Sequence, residues 1–468
     1  MHKGTSKLWI AEITGRILTA AAAVYTARVI GVESYGLVGY VAAVSSYFSV
    51  FVRFGTDFIL VRELSRDVLK SPDEKNAFRA VVIFLRLIFA LCSAIVMIYI
   101  GINAESELLS KLYFANAFAL TALLLPLDVL LQSEEKFGTV AVSRVFFNAC
   151  NLFFIFVFLN DSSIAWWIPL ASGLSMIVTQ LFFFQRVQGK IIVPSVVQFK
   201  HLSIFLFKES TPVLLSMLLL LMVGQLGIIL VKHFASAYEL GLYVTGYKIY
   251  DIANAMLVPV STTLFPQLSK IWSGSTKAVR TTTLLEGIKI ALPISLLAVG
   301  VSLLCGKELL ALFFGERFSG SDVYMSILLM TLAFRSISMF FANALVAGGK
   351  QNLHFVVTAL MVFINLILSY VIIKNYGAYG AAWSNLIAFA IELIGFTVVI
   401  WKQVDGREIF ATVFMSILVW MFAYGIGFLT TTAIRIEIYS SFIGSAAFVI
   451  IFMGIVFRFR TYLNDKRI

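Results

Sequence analysis

Apolar runs of twenty or more residues follow one another along almost the whole chain, parted by short polar stretches. Each run is long enough to cross a hydrocarbon core about 30 Å thick at about 1.5 Å per helical residue. The runs lie near 8–30, 37–60, 79–101, 112–131, 140–159, 164–186, 210–232, 243–268, 286–306, 322–346, 354–374, 378–401, 411–434 and 440–458. They predict an all-α integral membrane protein of about fourteen transmembrane helices, with no room for a sizeable soluble domain. The first run is expected to stay as a membrane helix, because Glu12 and Arg16 interrupt it and it outlasts the apolar core of a cleavable signal.

The longest polar interruption runs from Gln185 to about Lys208 and separates six predicted helices from eight. Similar short patterns occur on both sides. Tyr35-Gly36-Leu37 after the first helix resembles Leu240-Gly241-Leu242 after the seventh, and Arg62-Glu63-Leu64-Ser65 echoes Pro266-Gln267-Leu268-Ser269. Weak internal symmetry of this kind marks transporter repeats, whose substrate site lies at the repeat interface. Six helices per half is an even number, so the repeat is expected to be parallel. The predicted division is an N-terminal lobe over 1–186, a cytoplasmic linker over 187–209, a C-terminal lobe over 210–402, and two extra helices with a tail over 403–468. Pro259 and Pro293 fall inside predicted helices, where each removes a backbone hydrogen bond and favours a kink.

Composition sharpens the picture. Only 13% of residues are charged against about 25% in an ordinary soluble domain, and mean hydropathy is +0.94. Lys and Arg outnumber Asp and Glu by 36 to 25. Most of that excess sits in 62–79, 186–208, 270–280 and 458–467, all on one side of the membrane if the N-terminus is cytoplasmic. Basic residues so close to helix ends imply membrane lipids with anionic headgroups as the partner; no aromatic-interleaved basic domain exists to read nucleic acid. Cys92, Cys150 and Cys305 stand at unrelated spacings within apolar segments, and His2, His201, His233 and His354 form no ligand motif. Neither a metal site nor a cofactor is expected. No Gly-x-x-x-x-Gly-Lys-Ser/Thr loop occurs, so the driving force must be an ion gradient, the membrane potential or the substrate's own gradient.

The candidate chemistry is cationic. Arg16, Arg28, Arg53, Arg86, Arg144, Lys248, Lys289 and Arg335 lie inside predicted helices, where a charge costs a few kcal/mol or more unless it faces a cavity or a partner. Counted from the cytoplasmic helix ends, Arg16, Arg53 and Arg86 fall at a common depth of roughly 10–12 Å. They form a tier suited to phosphate, since guanidinium donates two parallel hydrogen bonds and keeps its charge. Two other readings stand beside this one. Glu12 precedes Arg16 by four residues, Asp57 follows Arg53 by four, and Asp251 follows Lys248 by three, so each pair could be a neutral ion pair on one helix face. Arg144 and Lys289, near helix ends, could snorkel to the headgroups. Asp57, Asp128 and Asp251 are candidates for ion coupling, each equally readable as a structural partner, as is Glu392.

Several stretches together carry a resemblance. Gly15-Arg16, Ala27-Arg28-Val29-Ile30-Gly31-Val32-Glu33-Ser34-Tyr35-Gly36, Gly55-Thr56-Asp57 through Arg62-Glu63, Leu264-Phe265-Pro266-Gln267-Leu268-Ser269-Lys270, Leu312-Phe313-Phe314-Gly315 and Asn375-Tyr376-Gly377-Ala378-Tyr379-Gly380 occur in an order and spacing that resembles the polysaccharide-transporter branch of the MOP (MATE-like) superfamily, O-antigen flippase type. The resemblance implies two six-helix lobes in a V-shaped, alternating-access arrangement plus two C-terminal helices. It also implies transport of undecaprenyl-pyrophosphate-linked oligosaccharide between the leaflets of a bacterial inner membrane, with a polysaccharide polymerase and chain-length machinery as partners. Related lipid II flippases carry cavity arginines in helices 1, 2 and 8; Arg16 and Arg53 match the first two, while helix 8 offers Lys248. Arg16, Arg53 and Arg86 are thus expected to hold the pyrophosphate, with Arg28 and Lys248 guiding it. The aspartate often found in helix 7 is missing from Gly224-Gln225-Leu226-Gly227. Two rival functions are multidrug antiport of the MATE type, disfavoured because a basic cavity repels cations, and a membrane polysaccharide polymerase or ligase, disfavoured by short outer loops.

Overall fold

The computed structural model of the protein describes residues 2–65, 71–187, 194–272, 274–433 and 437–465. Helices dominate, and no strand occurs among the described residues. In chain order they are α1 (His2–Arg53), α2 (Thr56–Ser65), α3 (Pro72–Ile102), α4 (Glu107–Thr121), α5 (Leu127–Ser133), α6 (Phe137–Phe158), α7 (Trp167–Phe183), α8 (Val196–Phe234), α9 (Ala237–Ile271), α10 (Lys277–Phe314), α11 (Asp322–Ala347), α12 (Gln351–Ile400), α13 (Gly406–Ala433) and α14 (Glu437–Asp465). Among the described residues, ten stretches are long and apolar enough to cross a membrane.

The helix boundaries differ from the ends of the expected runs. The runs near 8–30 and 37–60 meet without a loop inside α1, which has 52 residues and would measure about 78 Å if straight. Gly31 breaks it, with φ 76° and ψ 175°, a conformation closed to residues with a Cβ. The same device divides α12, where Gly377 has φ 54° and ψ −138° between the runs expected near 354–374 and 378–401. Conversely, the run expected near 112–131 is split into α4 and α5 by Pro126, which cannot continue a helical hydrogen-bond ladder.

The chain forms two compact units, Met1–Ile229 and Leu230–Ile468. The stretch expected as a linker, 187–209, is helical from Val196 onward and continues into α8; residues 188–193 lie outside the described residues. Its charges hid an amphipathic face. Phe199, Leu202, Phe205 and Leu206 recur at helical spacing and pack with Ile59, Leu60, Phe78, Val82 and Leu130 into one core.

In the first unit, α1 packs along α6, α3 along α4, and α2 along α5. A second core joins Val41 and Val52 of α1 to Met97 of α3 and Leu112 and Tyr113 of α4. Ser71 and Glu74 close a reciprocal capping box that starts α3, with Pro72 in its first turn. Polar clamps tie the helix ends: Arg62 donates to Glu63 at 2.7 Å and Glu209 at 2.9 Å, and Arg79 to Glu134 at 3.1 Å. In the second unit α11 packs against α9, α10 and α12, and α10 also against α13 and α14. A buried network of Asn365, Ser369, Ser384, Asn385 and Tyr243 bonds the two halves of α12 to each other and to α9. Large apolar side chains such as Leu181, Ile95, Phe156 and Val398 face outward, as a surface made for lipid requires.

Candidate functional site: an arginine-lined cavity in the first unit

The α1 helix brings Glu12, Gly15, Arg16 and Thr19 to one face at helical spacing, and α6 meets that face with Ser143, Arg144, Phe147 and Asn148. The two helices approach closely at Gly15, where a Cβ would stand 2.9 Å from Asn148 Nδ2. Thr19 Oγ1 lies 3.1 Å from Asn148 Oδ1 and donates to the Gly15 carbonyl at 2.9 Å, while Asn148 Nδ2 donates to the Arg144 carbonyl at 2.9 Å. Beside this seam lies a cavity of about 500 Å³, floored by α4, α5 and α7 and reached by Arg53 from the end of α1.

Charge is organised as a chain. Arg16 Nε donates to Glu12 Oε1 at 3.1 Å. Glu12 Oε2 lies 3.7 Å from Arg144, and Arg144 Nε donates to Asp128 Oδ2 at 2.9 Å. Ser143 Oγ adds a donor to Asp128 Oδ1 at 3.3 Å. All four charged side chains are about two-fifths exposed, so a ligand in the cavity can reach them. Arg53 joins the lining with an exposed side chain, and among the described residues no carboxylate pairs with it. The lining thus sets Arg16, Arg53 and Arg144 against Glu12 and Asp128, a surplus of one positive charge.

The alternative reading of Arg53 and Asp57 as a neutral pair does not hold among the described residues. Phe54 and Gly55 both have positive φ, 47° and 68°, and end α1 immediately after Arg53, so the four-residue spacing no longer places the two on one face. Gly55 is held there by close packing, since a Cβ would lie 2.9 Å from the Ser210 carbonyl of α8. Asp57 instead pairs with Arg86. Arg86 is buried at 3% exposure and also donates through Nε and Nη2 to Thr56 Oγ1 at 3.2 and 3.1 Å. It is therefore absent from the cavity lining, and the three-arginine tier read at equal depth is divided: Arg16 and Arg53 share the cavity, Arg86 neutralises Asp57 behind it. Equal depth along separate helices says nothing of which way each side chain turns.

Arg144, whose place near a helix end also allows snorkelling, takes the third place in the lining, and Asp128 comes with it as its partner. Their separation of sixteen residues crosses the α5–α6 turn and carries no periodic signal. Arg28 is exposed and is not among the lining residues. Lys248 and Asp251 belong to α9 in the second unit, which also holds Lys289 in α10, Arg335 in α11 and Glu392 in α12. There Arg335 lies over the Phe389 ring at 5.4 Å, and Glu392 accepts from Ser338 at 3.1 Å. Among the described residues, no group of three His, Cys, Asp or Glu is placed to hold a metal ion.

Comparisons with known proteins place this architecture. The chain is 21% identical over 369 residues to a putative O-antigen transporter of Shigella dysenteriae, covering 77% of this chain and 90% of that protein. It is 26% identical over 168 residues to the capsular polysaccharide biosynthesis protein CapF of Staphylococcus aureus, a match that spans 36% of this chain and 42% of that relative's length. The solved structure of the lipid II flippase MurJ in an inward closed conformation superposes with a TM-score of 0.79 at 16% identity, over 97% of this chain and 99% of that one, and shows the shared fold. The model of the family described as polysaccharide biosynthesis protein matches residues 1–272, more than half of the chain. The chain belongs to that family.

Proposed function

We propose that the protein is a flippase for lipid-linked oligosaccharide, moving an undecaprenyl-pyrophosphate-linked repeat unit from the cytoplasmic to the periplasmic leaflet of a bacterial inner membrane by alternating access. One observation carries the reading: a cavity of about 500 Å³ within membrane-spanning helices is lined by three arginines that outnumber its carboxylates. Such a lining suits a phosphate-bearing anion and repels an organic cation, which sets the multidrug reading aside. The pyrophosphate would engage Arg53 and Arg16, joined by Arg144, while the prenyl tail stays in lipid. Arg86 acts on this reading through Asp57 and Thr56, as a support for the segment that follows Arg53. A relative named as a putative O-antigen transporter supports a transport role, and one named as a capsular polysaccharide biosynthesis protein supports a polysaccharide cargo.

The test uses the purified chain in vesicles with fluorescent undecaprenyl-pyrophosphate-linked oligosaccharide, read by accessibility of the sugar to an impermeant reagent. Translocation without any change in the lipid-linked product is expected, and Arg16→Ala or Arg53→Ala should abolish it at equal amounts of inserted protein. Full activity in both variants would remove the cavity from the transport path. Polymerised product from this chain alone would favour the polymerase or ligase.

A further inference from the structure

Glu12 and Asp128 are misplaced in a cavity whose cargo is an anion unless they act on its arginines. They hold two of the three. Arg16 is bonded to Glu12 at 3.1 Å, and Arg144 lies between Glu12 at 3.7 Å and Asp128 at 2.9 Å. An incoming phosphate oxygen meets two guanidinium groups whose charge is already partly met and whose Nε donors are taken by a carboxylate, whereas Arg53 offers its guanidinium without such competition among the described residues. The carboxylates are 43% and 40% exposed, so they can turn away into the cavity when displaced. Around them Ala119 of α4, Leu123 just beyond it, and Ser172 and Thr179 of α7 are uncharged, so among the described lining residues the exchange involves these five charged groups.

We propose that Glu12 and Asp128 are built-in counter-anions that compete with the cargo for Arg16 and Arg144 and hold its affinity low enough for release. The proposal rests on reading the cavity as the anion site. Three unopposed arginines would bind a pyrophosphate tightly and let it go slowly; two intramolecular carboxylates return the arginines to a satisfied state as the cargo leaves. Arg53 makes the first contact, and the remaining two are won by exchange. The opposite role is physically distinct. If the carboxylates only hold the arginines in a productive geometry, removing them weakens binding.

The sign of one measurement separates the two. The full-length chain in lipid nanodiscs is titrated with inorganic pyrophosphate by calorimetry, as wild type, Glu12→Gln, Asp128→Asn and Arg53→Gln. Glu12→Gln and Asp128→Asn should each tighten binding by about fivefold, equivalent to about 1 kcal/mol, while Arg53→Gln weakens it. In the vesicle assay the two tighter variants should turn over more slowly than wild type. Binding that is unchanged or weaker in both Glu12→Gln and Asp128→Asn overturns the proposal and leaves the anion site standing. No detectable pyrophosphate binding by wild type and both carboxylate variants overturns the anion site itself.

Discussion

Replacing Asp57 by asparagine is expected to cost the first unit about 3 kcal/mol, and the structure says why the loss should track Arg86 and not Arg53. The Arg86 side chain is 3% exposed and Asp57 20%. In the asparagine variant the guanidinium keeps only neutral acceptors among the described residues, the amide oxygen and the Thr56 hydroxyl, and its buried charge is left uncompensated. Breaking a buried pair from one side typically costs about 3–5 kcal/mol, and the partial exposure of Asp57 puts this case at the lower end. Arg86→Gln leaves a carboxylate that water can reach, for about 1–2 kcal/mol. Asp57→Asn with Arg86→Gln restores neutrality, so the double variant should recover about 2–3 kcal/mol relative to the sum of the singles. The assay is thermal unfolding in mild detergent, where 3 kcal/mol corresponds to a midpoint shift of about 6–12 °C for a unit of this size. Arg53→Gln should shift the midpoint little, because an exposed cavity side chain supports no buried partner, and it should add to Asp57→Asn without coupling. Additivity between Asp57 and Arg86, or recovery when Arg53 and Asp57 are neutralised together, would refute the pairing.

Arg144→Ala should reduce translocation in vesicles strongly and Arg144→Lys only in part, since the charge remains and the planar fork is lost; full activity of the alanine variant would return Arg144 to the role of a headgroup anchor. Gly31→Ala should destabilise by about 1–3 kcal/mol through backbone strain alone, because nothing lies within 4 Å of the added Cβ; an unchanged unfolding midpoint would show that α1 can bend elsewhere. In a chain with Cys92, Cys150 and Cys305 replaced by serine, Asn103→Cys and Gly320→Cys should react with an impermeant thiol reagent applied to intact cells, and Asp73→Cys and Gly274→Cys should not. The reverse pattern would invert the orientation drawn from the basic segments.

The fold class was legible because a bilayer imposes it: every lipid-exposed backbone group must be bonded within its own helix, and runs of about twenty apolar residues cannot be hidden. The places where the chain changes direction were partly legible. Pro126 ends a helix by its chemistry, but Gly31 and Gly377 turn the chain without any polar stretch to announce them. The amphipathic start of α8 was masked by Lys200, His201 and Lys208, since a charged surface reads as a linker until its apolar face finds Leu60 and Phe78.

The candidate site divides in the same way. By itself the sequence determined which cations fall within apolar runs, because burying charge is costly enough that Arg16, Arg53, Arg86 and Arg144 stand out against their surroundings. It also offered the Glu12–Arg16 pair as one reading of a four-residue spacing, and the pair forms because α1 runs unbroken through both. Tertiary structure alone decided the rest. Two positive-φ residues after Arg53 cancel the relation to Asp57 and hand that carboxylate to Arg86, while the α5–α6 turn brings Asp128 to Arg144. Helical periodicity predicts neighbours only within one helix; which arginine is neutralised and which faces the cavity depends on how separate helices pack, and that information is spread over every residue in their seams.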